Sequence, residues 1–208
     1  MKGGKISVEN IKKLIQQSYK PSLSNVDDYV IDNELSGQRA QVYKKKGTNE
    51  AVVVHRGTKG LEDLGNDVKL ALGFNISNTN RVKHAKEIQQ KAEQKYGSQN
   101  VSTVGHSLGS HISSEVGQNS KEIINLNKAV VPADLGKTVS SKETNIRSRR
   151  DVISSLLPFQ RNRGKTVTVE KTSNNPLTEH STSILDRLPQ NQMVGEGFIK
   201  IGGRLHKL

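Results

Sequence analysis

The stretch Val101-Ser-Thr-Val-Gly105-His106-Ser107-Leu108-Gly109 decides the fold of this chain. A short run of β-branched residues leads into the pattern G-x-S-x-G, and a segment compatible with a helix, residues 110–117, follows it. This order predicts a nucleophile elbow, a sharp turn between strand and helix that lifts a serine hydroxyl clear of a sheet. Glycines are expected two residues before and after Ser107, because strand and helix pass too close there for a Cβ atom.

Strands and helices are predicted to alternate on both sides of this motif. Apolar periodicity predicts an amphipathic helix that begins after Ser7 and a long helix over residues 81–96. Residues 61–74 have a mixed pattern that leaves room for a short helix. Apolar runs predict strands at residues 39–43, 50–54, 101–104, 123–131, 146–153 and 166–170. The alternation favours a mostly parallel central sheet flanked by helices, an α/β fold in a single domain.

The chain divides into three segments around this sheet. Residues 1–38 are expected to form a helix and an irregular loop (residues 21–37) that pack on the core. Residues 39–190 are expected to form the core itself, and residues 191–208 a basic C-terminal segment.

The composition limits the classes of function. The chain has 208 residues, a net charge of +12 and no cysteine, which excludes a thiol nucleophile and a cysteine-based metal site. No apolar run approaches the roughly 18 residues that a membrane span needs, and the first residues lack the apolar region of a secretory signal, so an intracellular or virion-associated protein is expected.

The positive charge predicts a negatively charged neighbour. An anionic membrane surface satisfies that expectation, and a solvated basic surface without a partner is the simpler alternative. Nucleic acid stays open as a partner, but no zinc-finger, helix-turn-helix or RNA-recognition pattern supports it. The sequence does not indicate the oligomeric state.

A nucleophilic serine needs a base and an acid, and the order Ser, Asp, His along the chain supplies candidates. Asp151 directly follows residues 145–150 of the second predicted strand after the elbow, and His180 lies in a loop after the next strand. Asp134 and His206 are the alternatives, although His206 stands two residues from the C-terminus, where fraying would spoil a precise geometry. Ser107, Asp151 and His180 are therefore the predicted catalytic residues. An ordinary helix N-cap is the simpler interpretation of Ser107.

The remaining histidines are interpreted as structural, and they are His55, His84, His106 and His111. They precede the candidate acids in the chain, and His106 occupies a variable position of the elbow.

An oxyanion in the transition state needs hydrogen-bond donors. The backbone N–H of Leu108, the residue after the nucleophile, is one candidate. Thr58 is the other, because it stands at the end of the apolar strand in Ala51-Val-Val-Val-His-Arg56-Gly57-Thr58 and offers both an N–H and a hydroxyl.

Together these motifs resemble the class 3 (fungal-type) lipase family of α/β-hydrolases. The resemblance runs from about residue 39 to 185 and rests on Arg56-Gly57-Thr58, Gly-His-Ser107-Leu-Gly, Arg150-Asp151-Val and the late His180. It implies the α/β-hydrolase fold, an oxyanion role for Thr58 and the triad named above. Ser110 replaces a glycine that is frequent in the family, and the tryptophan-bearing segment after Thr58 lacks tryptophan.

The resulting prediction is a serine ester hydrolase of the lipase type, which cleaves carboxylic ester bonds of lipids and needs no metal or organic cofactor. The alternative is a non-catalytic protein that binds a membrane or nucleic acid on a hydrolase scaffold, since fold alone does not establish activity. Thioesterase or peptidase chemistry on the same triad also stays open.

Overall fold

The computed structural model describes residues 5–58, 80–130, 134–155, 158, 161–162, 164–194, 198–201 and 204–207. The α-helices are α1 (Val8–Ser18), α2 (Asn80–Tyr96), α3 (Leu108–Val116) and α4 (Pro176–His180). The strands are β1 (Tyr29–Ile31), β2 (Ala40–Lys45), β3 (Ala51–His55), β4 (Val101–His106), β5 (Glu122–Leu126), β6 (Thr138–Val139), β7 (Glu143–Ser148), β8 (Arg161–Asn162), β9 (Lys165–Val169), β10 (Phe198–Ile201) and β11 (Arg204–Lys207).

Seven strands form the main sheet in the order β1-β2-β3-β4-β5-β7-β9. The first three pair antiparallel, and β3, β4, β5, β7 and β9 pair parallel. The register places Val53 opposite Thr103, and Thr103 opposite Ile123. This mostly parallel sheet with flanking helices confirms the predicted α/β-hydrolase fold class.

The sheet is covered on both faces, as the continuous apolar strands require. Val52 and Val54 of β3 pack in the larger core cluster, to which α1 contributes Ile11 and Leu14. Val53, which points to the opposite face, packs with residues of α2. The carboxyl ends of the parallel strands therefore meet at one open edge, where α/β folds place their sites.

Most of the predicted elements lie close to their expected positions. Helix α1 begins at Val8, and the Ser7 hydroxyl accepts a hydrogen bond from Asn10 N–H, as the capping pattern indicated. The mixed segment 61–74 lies outside the described residues.

Three boundaries were wrong. The predicted strand 146–153 begins earlier than expected and ends at Ser148, where the chain turns. The predicted loop 21–37 contains a short strand, β1, whose residues Tyr-Val-Ile favour a strand and pair with β2, although the Ser, Asn and Asp around them are typical of a loop. The predicted strand 123–131 ends at Leu126, because the next residue, Asn127, has φ of 47° and cannot extend a ladder.

Within the described parts of the chain, no helix is both long and apolar enough to cross a membrane.

Candidate active site

Ser107 lies at a strained turn between β4 and α3. Its backbone has φ of 57° and ψ of −125°, and its side chain makes no capping hydrogen bond to the helix. Ser107 N–H donates to Leu126 O (3.0 Å), and Ser107 O accepts from Ala129 N–H (3.2 Å). An ordinary N-cap has extended backbone and a bonded side chain, so these values contradict that interpretation. Strain of this kind persists only where the surrounding structure imposes it, which is typical of a nucleophile elbow.

The two glycines of the elbow are required by close backbone contacts. A Cβ atom on Gly109 would lie 2.0 Å from His55 O, and one on Gly105 would lie 2.5 Å from Ser110 Cα. Both obstacles are backbone, which cannot move aside as a flexible side chain can. Helix α3 thus passes so close to β4 at Gly105 and to β3 at Gly109 that neither position has room for a side chain.

His180 and Asp151 meet at the carboxyl end of the sheet. His180 Nδ1 lies 2.7 Å from Asp151 Oδ1, and both residues are buried. Asp151 is fixed in turn by the N–H groups of Ile153 (3.2 Å) and Ser154 (2.9 Å). Because the carboxylate can only accept, His180 Nδ1 carries a proton, and in the neutral form of the ring Nε2 therefore presents a lone pair. His180 Nε2 is buried and has no hydrogen-bond partner among the described residues.

The alternative acid lies elsewhere. Asp134 is 3.1 Å from His111 Nδ1 and 2.8 Å from Lys137 Nζ, and it lines a cavity on the outer side of α3. His206, the alternative base, belongs to β11 in a separate two-stranded sheet with β10.

The predicted oxyanion donors flank the elbow. Leu108 is the first residue of α3, so its N–H has no acceptor within the helix. Gly57, the neighbour of Thr58, approaches the nucleophile so closely that a Cβ atom on it would lie 3.0 Å from Ser107 Cβ. The turn that carries Thr58 therefore runs beside the serine.

His106 links His180, Tyr19 and Gly57 by hydrogen bonds, and the sequence analysis did not predict this link. Its Nε2 lies 2.9 Å from His180 O, and its ring centre lies 5.1 Å from that of His180. Its Nδ1 lies 2.7 Å from Tyr19 Oη, which also accepts a hydrogen bond from Gly57 N–H (2.8 Å). A histidine in a buried strand must find partners for its ring nitrogens, and that rule was the available signal.

The protonation of this chain of hydrogen bonds follows from its acceptors. Burial, and after it the neighbouring His180, lower the pKa of His106 to about 3, so the ring is neutral. A carbonyl oxygen only accepts, so Nε2 donates to His180 O, and Nδ1 accepts from the Tyr19 hydroxyl. This series of hydrogen bonds fixes the backbone of His180 at one end and that of Gly57 at the other.

A buried carboxylate braces the loop before His180. Glu179 receives two hydrogen bonds from Arg187 (2.8 and 2.9 Å) and others from the Ser148 hydroxyl and the N–H groups of Thr172 and Ser173. Burial alone would raise the pKa of Glu179, but these hydrogen bonds, led by Arg187, lower it to about 2. The brace holds the residue that precedes the candidate base, and nothing local in the sequence indicated it.

Solved structures similar to this chain include three with low sequence identity. A predicted CIB-like hydrolase from Thermoplasma acidophilum has 14% identity and a TM-score of 0.44, over 74% of this chain and 93% of that one. An α/β serine hydrolase homologue from Coxiella burnetii has 14% identity and a TM-score of 0.43, over 82% and 100%. The carboxylesterase EstE1 from a metagenomic library has 14% identity and a TM-score of 0.40, over 79% and 84%. No curated protein sequence matches the chain.

The sequence also matches a family profile. The phospholipase-like family described as the Tle-like phospholipase domain matches residues 6–124, more than half of the chain. The matched segment contains Thr58, Ser107 and Leu108, whereas Asp151 and His180 lie beyond it. This family is not the class 3 lipase family that the motifs resemble. The predicted superfamily, the α/β-hydrolases, is supported, and the predicted family is not. The chain belongs to the Tle-like phospholipase domain family.

Proposed function

We propose that this protein is a serine hydrolase of the lipase type that cleaves carboxylic esters of glycerophospholipids. The single observation that carries the proposal is the geometry around Ser107. A serine with positive φ follows the strand whose last residue, His106, holds His180 by a hydrogen bond of 2.9 Å. The His180 ring in turn bonds Asp151 and has no partner at Nε2 among the described residues. The phospholipase description of the family supports the choice of lipid esters.

The proposed reaction has two steps. His180 Nε2 takes the proton of the Ser107 hydroxyl while its oxygen attacks the ester carbonyl, and the developing imidazolium is stabilised by Asp151. Collapse of the tetrahedral intermediate expels the alcohol, which receives that proton, and leaves an acyl group on Ser107. Water, deprotonated by His180, then attacks this ester and releases the fatty acid and the free serine.

The tetrahedral intermediate carries its charge on the former carbonyl oxygen. We assign its stabilisation to the N–H of Leu108 and to Thr58, whose N–H and hydroxyl stand in the turn beside the nucleophile. Removing one such donor in other serine hydrolases costs about 10²–10³ in kcat. The Tyr19–His106 hydrogen bonds support this turn by holding the adjacent Gly57.

The net charge of +12 supports an anionic lipid surface as the setting of the reaction. Salt screens attraction of this kind, so activity on anionic vesicles should fall as the salt concentration is raised from about 0.05 to about 0.5 M. Activity that is indifferent to both anionic lipid and salt would remove this part of the proposal.

The experiment that tests the function is hydrolysis of p-nitrophenyl esters of graded chain length and of phosphatidylglycerol vesicles. Wild type should cleave both, and Ser107→Ala should lose at least about a thousandfold in kcat. Ser24→Ala is the matched control, because Ser24 is exposed and lies outside the site. Inert wild type would contradict the proposal and favour the non-catalytic alternative. Cleavage of thioesters or peptides in preference to oxygen esters would assign the triad to that other chemistry.

A further inference from the structure

Three arginines converge at the carboxyl end of β3, beside the nucleophile. Arg81 Nη2 donates to the carbonyl oxygens of Arg56 and Gly57, the latter at 3.2 Å. Arg56 N–H donates to Arg39 O at 3.2 Å, which joins the third arginine to the same turn. We call Arg39, Arg56 and Arg81 the arginine cluster.

No carboxylate within the described residues forms an ion pair with this cluster. Arg81 Nε is buried and has no hydrogen-bond partner among them. Burial, followed by the charges of Arg39 and Arg56, lowers the pKa of Arg81 to about 10. Three guanidinium groups at one turn repel one another, and a buried donor without a partner destabilises the fold. Both features are costs that a bound anion would offset.

A cavity of about 170 Å³ opens against the cluster. Arg39 and Arg81 line it together with His55, His84 and Asn80, and its apolar wall is Ala40, Ala85 and Ile112. None of the described residues that line it is acidic. The cavity therefore offers donors and positive charge and would reject a cationic group.

The position of the cluster relates this cavity to the reaction. Gly57 O accepts from Arg81, while the Cα of the same Gly57 directs a built Cβ atom to within 3.0 Å of Ser107 Cβ. One residue thus separates the guanidinium of Arg81 from the nucleophile. In a glycerophospholipid, the phosphodiester is joined to the acyl esters through the glycerol backbone, only a few bonds away.

We infer that the arginine cluster binds the phosphodiester of the phospholipid whose ester is presented to Ser107. Guanidinium groups bind phosphate oxygens through paired, charge-assisted hydrogen bonds, which are stronger than neutral ones. A phosphodiester keeps one negative charge at neutral pH and therefore suits a site that holds no counter-charge among the described residues. The inference rests on the proposed function for its substrate, but the binding of a phosphodiester can be measured without turnover.

The first arm compares two substrates with the same short acyl chains, a phosphatidylglycerol and the corresponding diacylglycerol. The ratio of their kcat/KM values should fall about tenfold in Arg39→Gln, since the variant removes charge-assisted bonds to the phosphate only. Lys86→Gln, which removes one exposed charge from α2, should leave this ratio within twofold of wild type. An unchanged ratio in Arg39→Gln, or an equal fall in Lys86→Gln, would overturn the inference.

The second arm measures binding in the Ser107→Ala background, where no turnover occurs. Titration with sn-glycero-3-phosphoglycerol, followed by phosphorus NMR, should give a Kd that rises about tenfold when Arg39→Gln is added. Inorganic phosphate that binds in an Arg39-dependent way, without binding of the phosphodiester, would overturn the inference in favour of a free-anion site. An inactive wild type that still shows Arg39-dependent binding would refute the proposed function and leave the phosphodiester site standing.

Discussion

Glu179→Gln tests whether the buried brace beside His180 stabilises the fold. The substitution keeps the volume of the side chain but removes the charge that two hydrogen bonds from Arg187, at 2.8 and 2.9 Å, now neutralise. Arg187 would be left with only 15% of its side chain exposed and without its charged partner. Breaking one side of a buried ion pair typically costs about 3–5 kcal/mol, because the remaining charge is not compensated.

The pKa of Glu179 gives an independent magnitude. Its fall from 4.5 to about 2 corresponds to about 3 kcal/mol of unfolding free energy at neutral pH, at about 1.36 kcal/mol for each pKa unit. The folded state binds this proton less readily than the unfolded one. The stabilisation is therefore complete above pH 4.5 and is lost as the pH falls toward 2.

The assay is urea unfolding followed by circular dichroism at pH 7 and at several lower pH values. Glu179→Gln should lower the free energy of unfolding by about 3 kcal/mol at pH 7, and its difference from wild type should shrink below pH 4.5. Glu170→Gln is the matched control, because its pair with Arg149 is exposed on both sides and should contribute less than about 1 kcal/mol. Equal effects of the two substitutions at pH 7 would refute the reasoning.

Three other predictions concern the elbow and the hydrogen bonds around it. Tyr19→Phe removes the hydroxyl that bonds both Gly57 and His106 and should lower kcat about tenfold without unfolding the protein. Tyr96→Phe, which removes a hydroxyl that bonds Asp32, is the control and should leave kcat unchanged. Equal kcat values for the two variants would contradict the role of Tyr19. Gly109→Ala should prevent folding, because the new Cβ would lie 2.0 Å from a backbone oxygen. Gly136→Ala is the control: its Cβ would meet nothing within 4 Å, so its melting temperature should equal that of wild type. The pKa of His106 is about 3 in the folded state and about 6.5 in the unfolded state, so unfolding takes up a proton below pH 6.5. The free energy of unfolding should therefore fall as the pH is lowered from 6.5 toward 3. If the dependence of this free energy on pH were the same in His106→Gln, the assignment would be wrong.

Local patterns predicted the parts of the molecule that depend on neighbouring residues. The elbow around Ser107 could be located because its glycines are needed for contacts within one strand-turn-helix unit. The helix cap at Ser7 and the buried strand β3 follow from equally local rules. The mostly parallel sheet with helices on both faces then followed from the alternation of strands and helices along the chain.

The parts that could not be predicted depend on pairs of residues far apart in the chain. Tyr19 and His106 are separated by 87 positions, and neither carries a pattern that names the other. Strand β1 has three residues that favour a strand, but they stand among loop-forming residues, and the pairing with the more distant β2 completes the strand. The family was also placed too finely, since motifs shared across a superfamily do not distinguish its members.

The most direct test of the proposed mechanism is covalent labelling by a fluorophosphonate, read by intact mass and peptide mapping. This reagent reports an activated serine without any assumption about the lipid substrate. Wild type should take up one label, on Ser107, and His180→Gln should slow its formation by at least about a hundredfold because the base is removed. Absence of label on wild type, or equal labelling of His180→Gln, would contradict the triad of Ser107, Asp151 and His180.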